Sequence, residues 1–248
     1  MGIVANLWRH PIKGVGREEL ASVDLKENCC MPMDRYWAIT HENSKVNFKD
    51  SEWATCINFI RAASSHKLMA VSSTLDDDTG LITLSHPELV DLTINPNTDS
   101  QALIDWVKQI TNTNRSMPTN VFKANRGLTD SSSQTVSIHV TATLLDLSKT
   151  MRQPLDQRRF RGNIWLDDMI AWSEFDWIGK TISIGTTEIQ ITGPIERCMA
   201  TTVNPDTGAS DANTLAALNT TYGHQNFGVF GIVKKSGHVN IGDKAELI

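Results

Sequence analysis

Short runs in which apolar and polar residues alternate dominate this chain. Only a few stretches carry the 3.6-residue spacing of a helix. Ile3–Arg9 is apolar and aromatic and breaks at Pro11, Leu20–Leu25 alternates, and Tyr36–Thr40 is rich in β-formers, so residues 1–50 read as strands. Trp53, Ile57, Ile60 and Ala63 fall at helical spacing and predict a helix over 53–65. Residues 68–94 return to strand pattern, punctuated by Gly80 and Pro87. A helix is predicted from Asp99 or Ser100, with Ala102, Leu103, Trp106, Val107 and Ile110 as its apolar stripe. Further on, Val136–Val140 reads as a strand, Thr143 as the cap of a helix to about Met151, and Arg159–Leu166 as another strand. Residues 180–192 read as a hairpin, with Ile182, Ile184, Ile189 and Ile191 on one face. A short helix over Asp211–Asn219 and strands at Val229–Val233 and Val239–Ile241 close the pattern.

Many short strands with a few helices predict a mainly β, α+β chain built from barrels rather than a doubly wound sheet. The polar, proline-ended segment Thr111–Pro118 is the expected boundary, giving domains 1–115 and 116–248. Asn125–Gln134 is an expected loop.

Composition changes this picture little. At 248 residues, 40% hydrophobic and 21% charged, the chain is an ordinary globular one. A net charge of −5 gives no bulk reason to expect nucleic acid or an anionic membrane as partner. The four cysteines, Cys29, Cys30, Cys56 and Cys198, form no Cys-x-x-Cys pair, which argues against a disulfide scaffold or a four-cysteine zinc site. Met1–His10 lacks signal-peptide character, and no run approaches the ~18 apolar residues of a membrane span. Cytoplasmic location is the expectation.

Chemistry concentrates in two places. Cys198 follows Arg197, and a cation favours the thiolate form, a soft ligand suited to thiophilic metals. A buried core cysteine and a histidine-assisted nucleophile are the other readings of Cys198, although no histidine has a diagnostic spacing to it. On a strand, Arg159, Arg161 and Asn163 share one face, able to hold a phosphate or polar heterocycle or simply to meet water. Lys13-Gly14 after Pro11, Arg35 after Asp34, and the hydroxyls of Ser131–Ser133 are further polar candidates. No glycine-rich phosphate loop is present.

At these residues the chain resembles the MOSC proteins, named for the molybdenum cofactor sulfurase C-terminal domain. The matching pieces are Arg159–Ile164, Trp177-Ile178-Gly179, Arg197-Cys198 with Thr201-Thr202, Asn204–Gly208, Asn226-Phe227-Gly228 and Gly242-Asp243. His10–Gly14 and Asp34-Arg35 resemble the N-terminal barrel that accompanies such domains. The resemblance implies a MOSC-type β-barrel preceded by a smaller β-rich domain, and the amidoxime-reducing components as functional relatives. It implies a molybdopterin-type molybdenum cofactor, with Cys198 as metal ligand and catalytic thiolate. Lys13, Arg35, Ser133, Arg161, Asn163, Arg197 and Thr201 are the implied cofactor-binding residues. The implied substrates are small N-hydroxylated compounds. No cysteine follows Cys198, so electrons are expected from a separate flavoprotein, ferredoxin-like protein or b-type haem carrier. A cofactor-binding or sulfur-carrier protein without reductase activity is the alternative. Family members often carry serine at the position of Gly14 and proline at that of Gly162, two departures in this chain.

Overall fold

The computed structural model describes residues 1–248. In chain order the strands are β1 Gly2–Arg9, β2 Ile12–Lys13, β3 Glu18–Leu20, β4 Ser22–Leu25, β5 Trp37–His41, β6 Ser72–Leu75, β7 Ile82–His86 and β8 Leu89–Ile94. After helix α1 Ser100–Lys108 come β9 Pro118–Lys123, β10 Val136–Val140, α2 Thr141–Met151, β11 Ile164–Asp167, β12 Thr181–Ile184 and β13 Thr187–Glu196. Helix α3 Thr214–Tyr222, β14 Asn226–Lys235, β15 Gly237–Asn240 and β16 Lys244–Leu247 complete the chain.

Alternation builds the main layer. The strand order β11-β10-β14-β13-β12-β16-β1 closes on itself through a β1–β11 pairing, giving a seven-stranded barrel, with β3 hooked onto β1. The period-two isoleucines Ile182, Ile184, Ile189 and Ile191 point inward and are fully buried with Val136, Ile138, Ile164 and Val229. Each such side chain contributes roughly 1.5–3 kcal/mol on leaving water. The hairpin turn falls at Gly185, whose φ of 56° and close approach to the His238 carbonyl leave no room for a Cβ.

The N-terminal half forms three-stranded sheets β2-β5-β9 and β6-β7-β8 around a second core of Ile12, Trp37, Leu68, Ile82, Leu103 and Val107. The halves interlace. The first strand of the chain is a barrel strand, and β9, beyond the expected 115/116 boundary, pairs antiparallel with β5. Arg17 staples them further: Nη1 donates to the Met69 and Val71 carbonyls and Nη2 to the Pro205 carbonyl at 2.7 Å. Beside that staple, Gly208 packs against the Lys67 backbone with a φ of 68°.

Several expectations fail, each for a local reason. Residues 53–65 form no α-helix, only a 3-10 turn at Cys56–Asn58. Thr55, Ile57, Asn58 and Ile60 are poor helix formers, and the segment is pinned when the Ile60 N–H donates to the Ile39 carbonyl at 2.8 Å. Ile57 is left 67% exposed. Residues 159–166 are a strand only from Ile164; Gln157–Phe160 is a 3-10 turn capped by Asp156, and Arg161 is left-handed at a φ of 48°. Thr143 lies inside α2, its hydroxyl donating to Glu174, and α3 runs from Thr214 to Tyr222, capped by Asn213, rather than over Asp211–Asn219. Strand β16 was not foreseen. No helix is long and apolar enough to cross a membrane.

Candidate functional site

A cavity of about 430 Å³ lies where the two halves meet. Lys13, Gly14, Arg35, Cys56 and Arg61 reach it from the first half, and Thr135, Arg159, Arg161, Arg197 and Cys198 from the second. Residues distant in the chain thus converge on one cavity: Lys13, Arg35, Arg161 and Arg197, the four cations expected to bind the cofactor, line it together with Cys198.

Local structure explains each placement. Lys13 ends β2, is 5% exposed, and donates to the Leu128 carbonyl at 2.7 Å and to Asp130 at 2.6 Å. Burial lowers its pKa, Asp130 opposes that, and Arg35 adds to it. Arg35 adopts a φ of 55°, which turns its guanidinium back to pair with Asp34 and to donate to the Arg161 carbonyl at 2.8 Å. Beneath it His10 and Asp34 are buried together; burial first, then Arg161 and Arg35, push His10 down to about 3. Burial would raise Asp34, but Arg35 and His10 hold it well below the usual carboxylate range. The imidazole is neutral and Asp34 ionised, so this pair carries one negative charge, which pairs with Arg35 and favours the charged form of Arg161.

Arg161 follows the 3-10 turn, and its left-handed backbone aims the side chain inward. Both Nη atoms are buried without any partner. Burial, then Arg35 and Arg17, lowers its pKa to about 9. Arg197 is anchored differently: Nε donates to the Phe227 carbonyl at 2.7 Å and Nη1 to that of Phe160 at 2.9 Å. Its guanidinium sits 5.6 Å from the Phe160 ring and 5.8 Å from the Phe227 ring. Burial lowers its pKa to about 9 while Cys198 raises it.

Cys198 comes just after β13. Its carbonyl accepts from Thr201 N at 3.2 Å and from Thr201 Oγ1 at 3.1 Å, which fixes the backbone bearing the thiol. The thiol is exposed, so the buried-core reading of Cys198 is wrong. No histidine lines the cavity, which leaves the nucleophile reading without a base there.

Three sequence-level assignments change. Ser133 is exposed and does not line the cavity; its carbonyl accepts from Arg126 at 2.9 Å, while Thr135, two residues on, does line it. Asn163 lines it, but its amide is consumed: Oδ1 accepts from Ser137 N at 3.1 Å and Ser137 Oγ at 2.9 Å, and Nδ2 donates to Trp8 O at 3.2 Å and contacts Met31 Sδ at 3.6 Å. The Thr201 hydroxyl is likewise spent on Cys198 O and on Thr214 Oγ1 at 2.7 Å. Both residues position the site and have no free donor for a ligand. The face-sharing of Arg159 and Arg161 also fails with the strand that implied it.

Unpartnered donors mark what the cavity lacks. Arg161 Nη1 and Nη2, Arg159 Nε and Nη1, Arg61 Nε and Thr135 Oγ1 are all buried without a hydrogen bond, half of such atoms in the chain. Buried polar groups are otherwise almost always paired, so these point to an anionic, hydrogen-bond-accepting ligand. The lining carries six cations against Asp130 and Glu196. A phosphate-bearing cofactor fits that donor set, and an exposed thiol beside it suits a soft metal carried by such a cofactor. No cluster of three or more His, Cys, Asp or Glu side chains forms a protein-built metal site.

Sequence reading missed Arg61, Thr135 and Cys56. Arg61 and Cys56 lay inside the misassigned helix, where Arg61 Nη1 in fact reaches Cys56 Sγ at 3.3 Å. The two departures have steric reasons. A Cβ at Gly162 would lie 1.9 Å from the His139 ring, and one at Gly14 2.7 Å from the Ile60 carbonyl.

The profile of the MOSC domain matches residues 103–246 and that of the MOSC N-terminal beta barrel domain residues 1–126. Mitochondrial amidoxime-reducing component 1 of Homo sapiens is 23% identical over 100% of this chain and 83% of its own length. Mitochondrial amidoxime reducing component 2 of Homo sapiens is 30% identical over 43% of this chain and 35% of its own. Molybdenum cofactor sulfurase of Drosophila ananassae is 34% identical over 34% of this chain and 11% of its own. With both profiles together spanning residues 1–246, this chain belongs to the MOSC domain family and carries the MOSC N-terminal beta barrel domain ahead of its MOSC domain.

Proposed function

We propose that this protein is a molybdenum-cofactor-dependent reductase of N-hydroxylated compounds such as amidoximes and hydroxylamines. The concentration of unpartnered buried donors on a cationic cavity, beside the exposed Cys198 thiol, is the observation that carries the reading. Similarity along the whole of this chain to a protein named mitochondrial amidoxime-reducing component 1 supports it.

Lys13, Arg35 and Arg161 neutralise the cofactor's phosphate, and the Arg161 nitrogens gain the acceptors they lack. Cys198 supplies the thiolate ligand, next in the chain to the buried Arg197 guanidinium. Thr201 and Asn163 hold the segments that present these groups. When bound, the molybdenum cofactor supplies the two-electron redox chemistry. Overall, two electrons and two protons break the substrate N–O bond, leaving the N–H product and water. The electrons come from a separate carrier, a flavoprotein, ferredoxin-like protein or b-type haem protein, in a weak and transient encounter.

Elemental analysis tests this on protein expressed in a cofactor-competent host, wild type beside Cys198→Ala. Near-stoichiometric molybdenum and turnover of benzamidoxime are expected in the wild type, with turnover abolished in the variant and its fold intact. Absence of metal from the wild type, in a host that loads another molybdoenzyme, overturns the reading. The exposure of Cys198 favours one second reading, sulfur transfer through this thiol. Mass spectrometry detecting a persulfide on Cys198 in metal-free, inactive protein is its expected signature.

A further inference from the structure

Arg159 has no assigned task in the proposed chemistry, yet its side chain is the most confined cation of the cavity. It is 3% exposed and lines the cavity wall. One corner is fixed, Nη2 pairing with Asp211 at 2.7 Å. The remaining nitrogens, Nε and Nη1, are buried and bond to nothing. The N–H groups on these two nitrogens point in different directions on either side of the anchored Nη2, so each is a charged single donor that lacks an acceptor and suits an oxyanion.

Its anchor also separates it from the phosphate set. Lys13 is held by Leu128 and Asp130 and Arg35 by Asp34 and the Arg161 carbonyl, whereas Arg159 is tied to Asp211. Asp211 N–H in turn donates to the Thr202 carbonyl at 3.1 Å, in the turn that begins just after Cys198. The Gln157–Phe160 turn packs on that same Met199–Thr202 turn. The anchored corner of Arg159 therefore lies beside the turn that follows Cys198, and the side chain lines the same cavity as that thiol.

We infer that Arg159 is a specificity-determining residue that receives an acidic group of the substrate, so that the preferred substrates are N-hydroxylated compounds bearing a carboxylate or similar oxyanion. This rests on the reductase reading for the word substrate, but the anion contact itself is testable without turnover. Asp211 positions the guanidinium; the substrate's oxyanion supplies an acceptor that it lacks. A neutral substrate brings no charged acceptor to these donors, which is the source of the discrimination.

The test is a calorimetric titration of sodium benzoate into the cofactor-loaded chain at fixed ionic strength, comparing wild type, Arg159→Gln and Arg159→Lys. Benzoate is expected to bind the wild type, about tenfold or more weaker to Arg159→Gln, with part of the loss restored by Arg159→Lys. Circular dichroism of each variant separates loss of the contact from loss of fold. Equal benzoate affinity in wild type and a folded Arg159→Gln overturns the inference. So does benzoate binding to cofactor-free chain but not to loaded chain, together with a nucleotide-extended pterin on extraction, because the cofactor's second phosphate then occupies Arg159. The same preparations are assayed with benzamidoxime and 4-carboxybenzamidoxime. The acid is expected to show the lower KM, a preference erased in Arg159→Gln. If the loaded wild type reduces neither compound, the reductase reading falls while the titration still decides the anion contact.

Discussion

The barrel interior and the cavity beside it are built on opposite rules. Inside the barrel, Ile182, Ile184, Ile189, Ile191 and their neighbours bury apolar surface against one another. In the cavity, the Arg35 charge lowers the pKa of both Arg161 and Arg197, and the Nη atoms of Arg161 and two nitrogens of Arg159 have no acceptor. The first arrangement is stabilising by itself. The second is destabilising until a ligand arrives, since desolvated cations without acceptors cost free energy. A folded protein tolerates such a wall only where the rest of the structure over-determines it, and here the barrel and the Arg17 staple do so.

The comparison breaks most readily on the barrel side. Ile191→Ala removes a fully buried side chain from the barrel core and is expected to cost about 3 kcal/mol, read from urea unfolding. A loss below about 1 kcal/mol would mean that the interior is loosely packed and not the element holding the cavity open.

Glu174 sharpens the contrast, because it is a buried orphan outside the cavity. It is 0% exposed, accepts one hydrogen bond from Thr143, and its Oε1 has no partner. Burial raises its pKa from 4.5 to about 7. The folded state therefore holds a proton that the unfolded chain releases. The associated stability is fully present below pH 4.5 and is lost as pH rises to about 7, a drop of about 3 kcal/mol. Denaturation of Glu174→Gln across that window is expected to lack this component; an unchanged pH profile would remove Glu174 as its origin.

The smallest effect has the opposite sign. Arg161→Met replaces a guanidinium whose terminal nitrogens are unpartnered, so the cofactor-free protein is expected to gain about 1 kcal/mol in stability. The same change is expected to abolish most cofactor retention, read as molybdenum content. Destabilisation of the cofactor-free variant would show that Arg161 is satisfied by the fold rather than by a ligand.

Legibility in the sequence followed the range of the forces involved. The hairpin over 180–192 was readable because alternation is local and its apolar face meets one continuous core. The helix at 100–108 was readable for the same reason. The Trp53–Ser65 segment was not: its helical spacing was overruled by the Ile60 to Ile39 hydrogen bond, a long-range partner invisible in the sequence. The Arg159–Asn163 strand failed because the Asp156-capped turn and the left-handed Arg161 set side-chain directions that alternation does not encode.

By itself the sequence determined the mainly β class, the MOSC resemblance, and the residue types that mark the site: one thiol beside an arginine and cations in three distant segments. Only the tertiary structure decided which of them hold free donors. It withdrew Ser133 from the wall, spent the Asn163 and Thr201 side chains on neighbours, and left Arg159, Arg161 and Thr135 unsatisfied. The physical reason is that a hydrogen bond is exclusive. Residue type says what a side chain can donate, and only its packed surroundings say whether that capacity is already used.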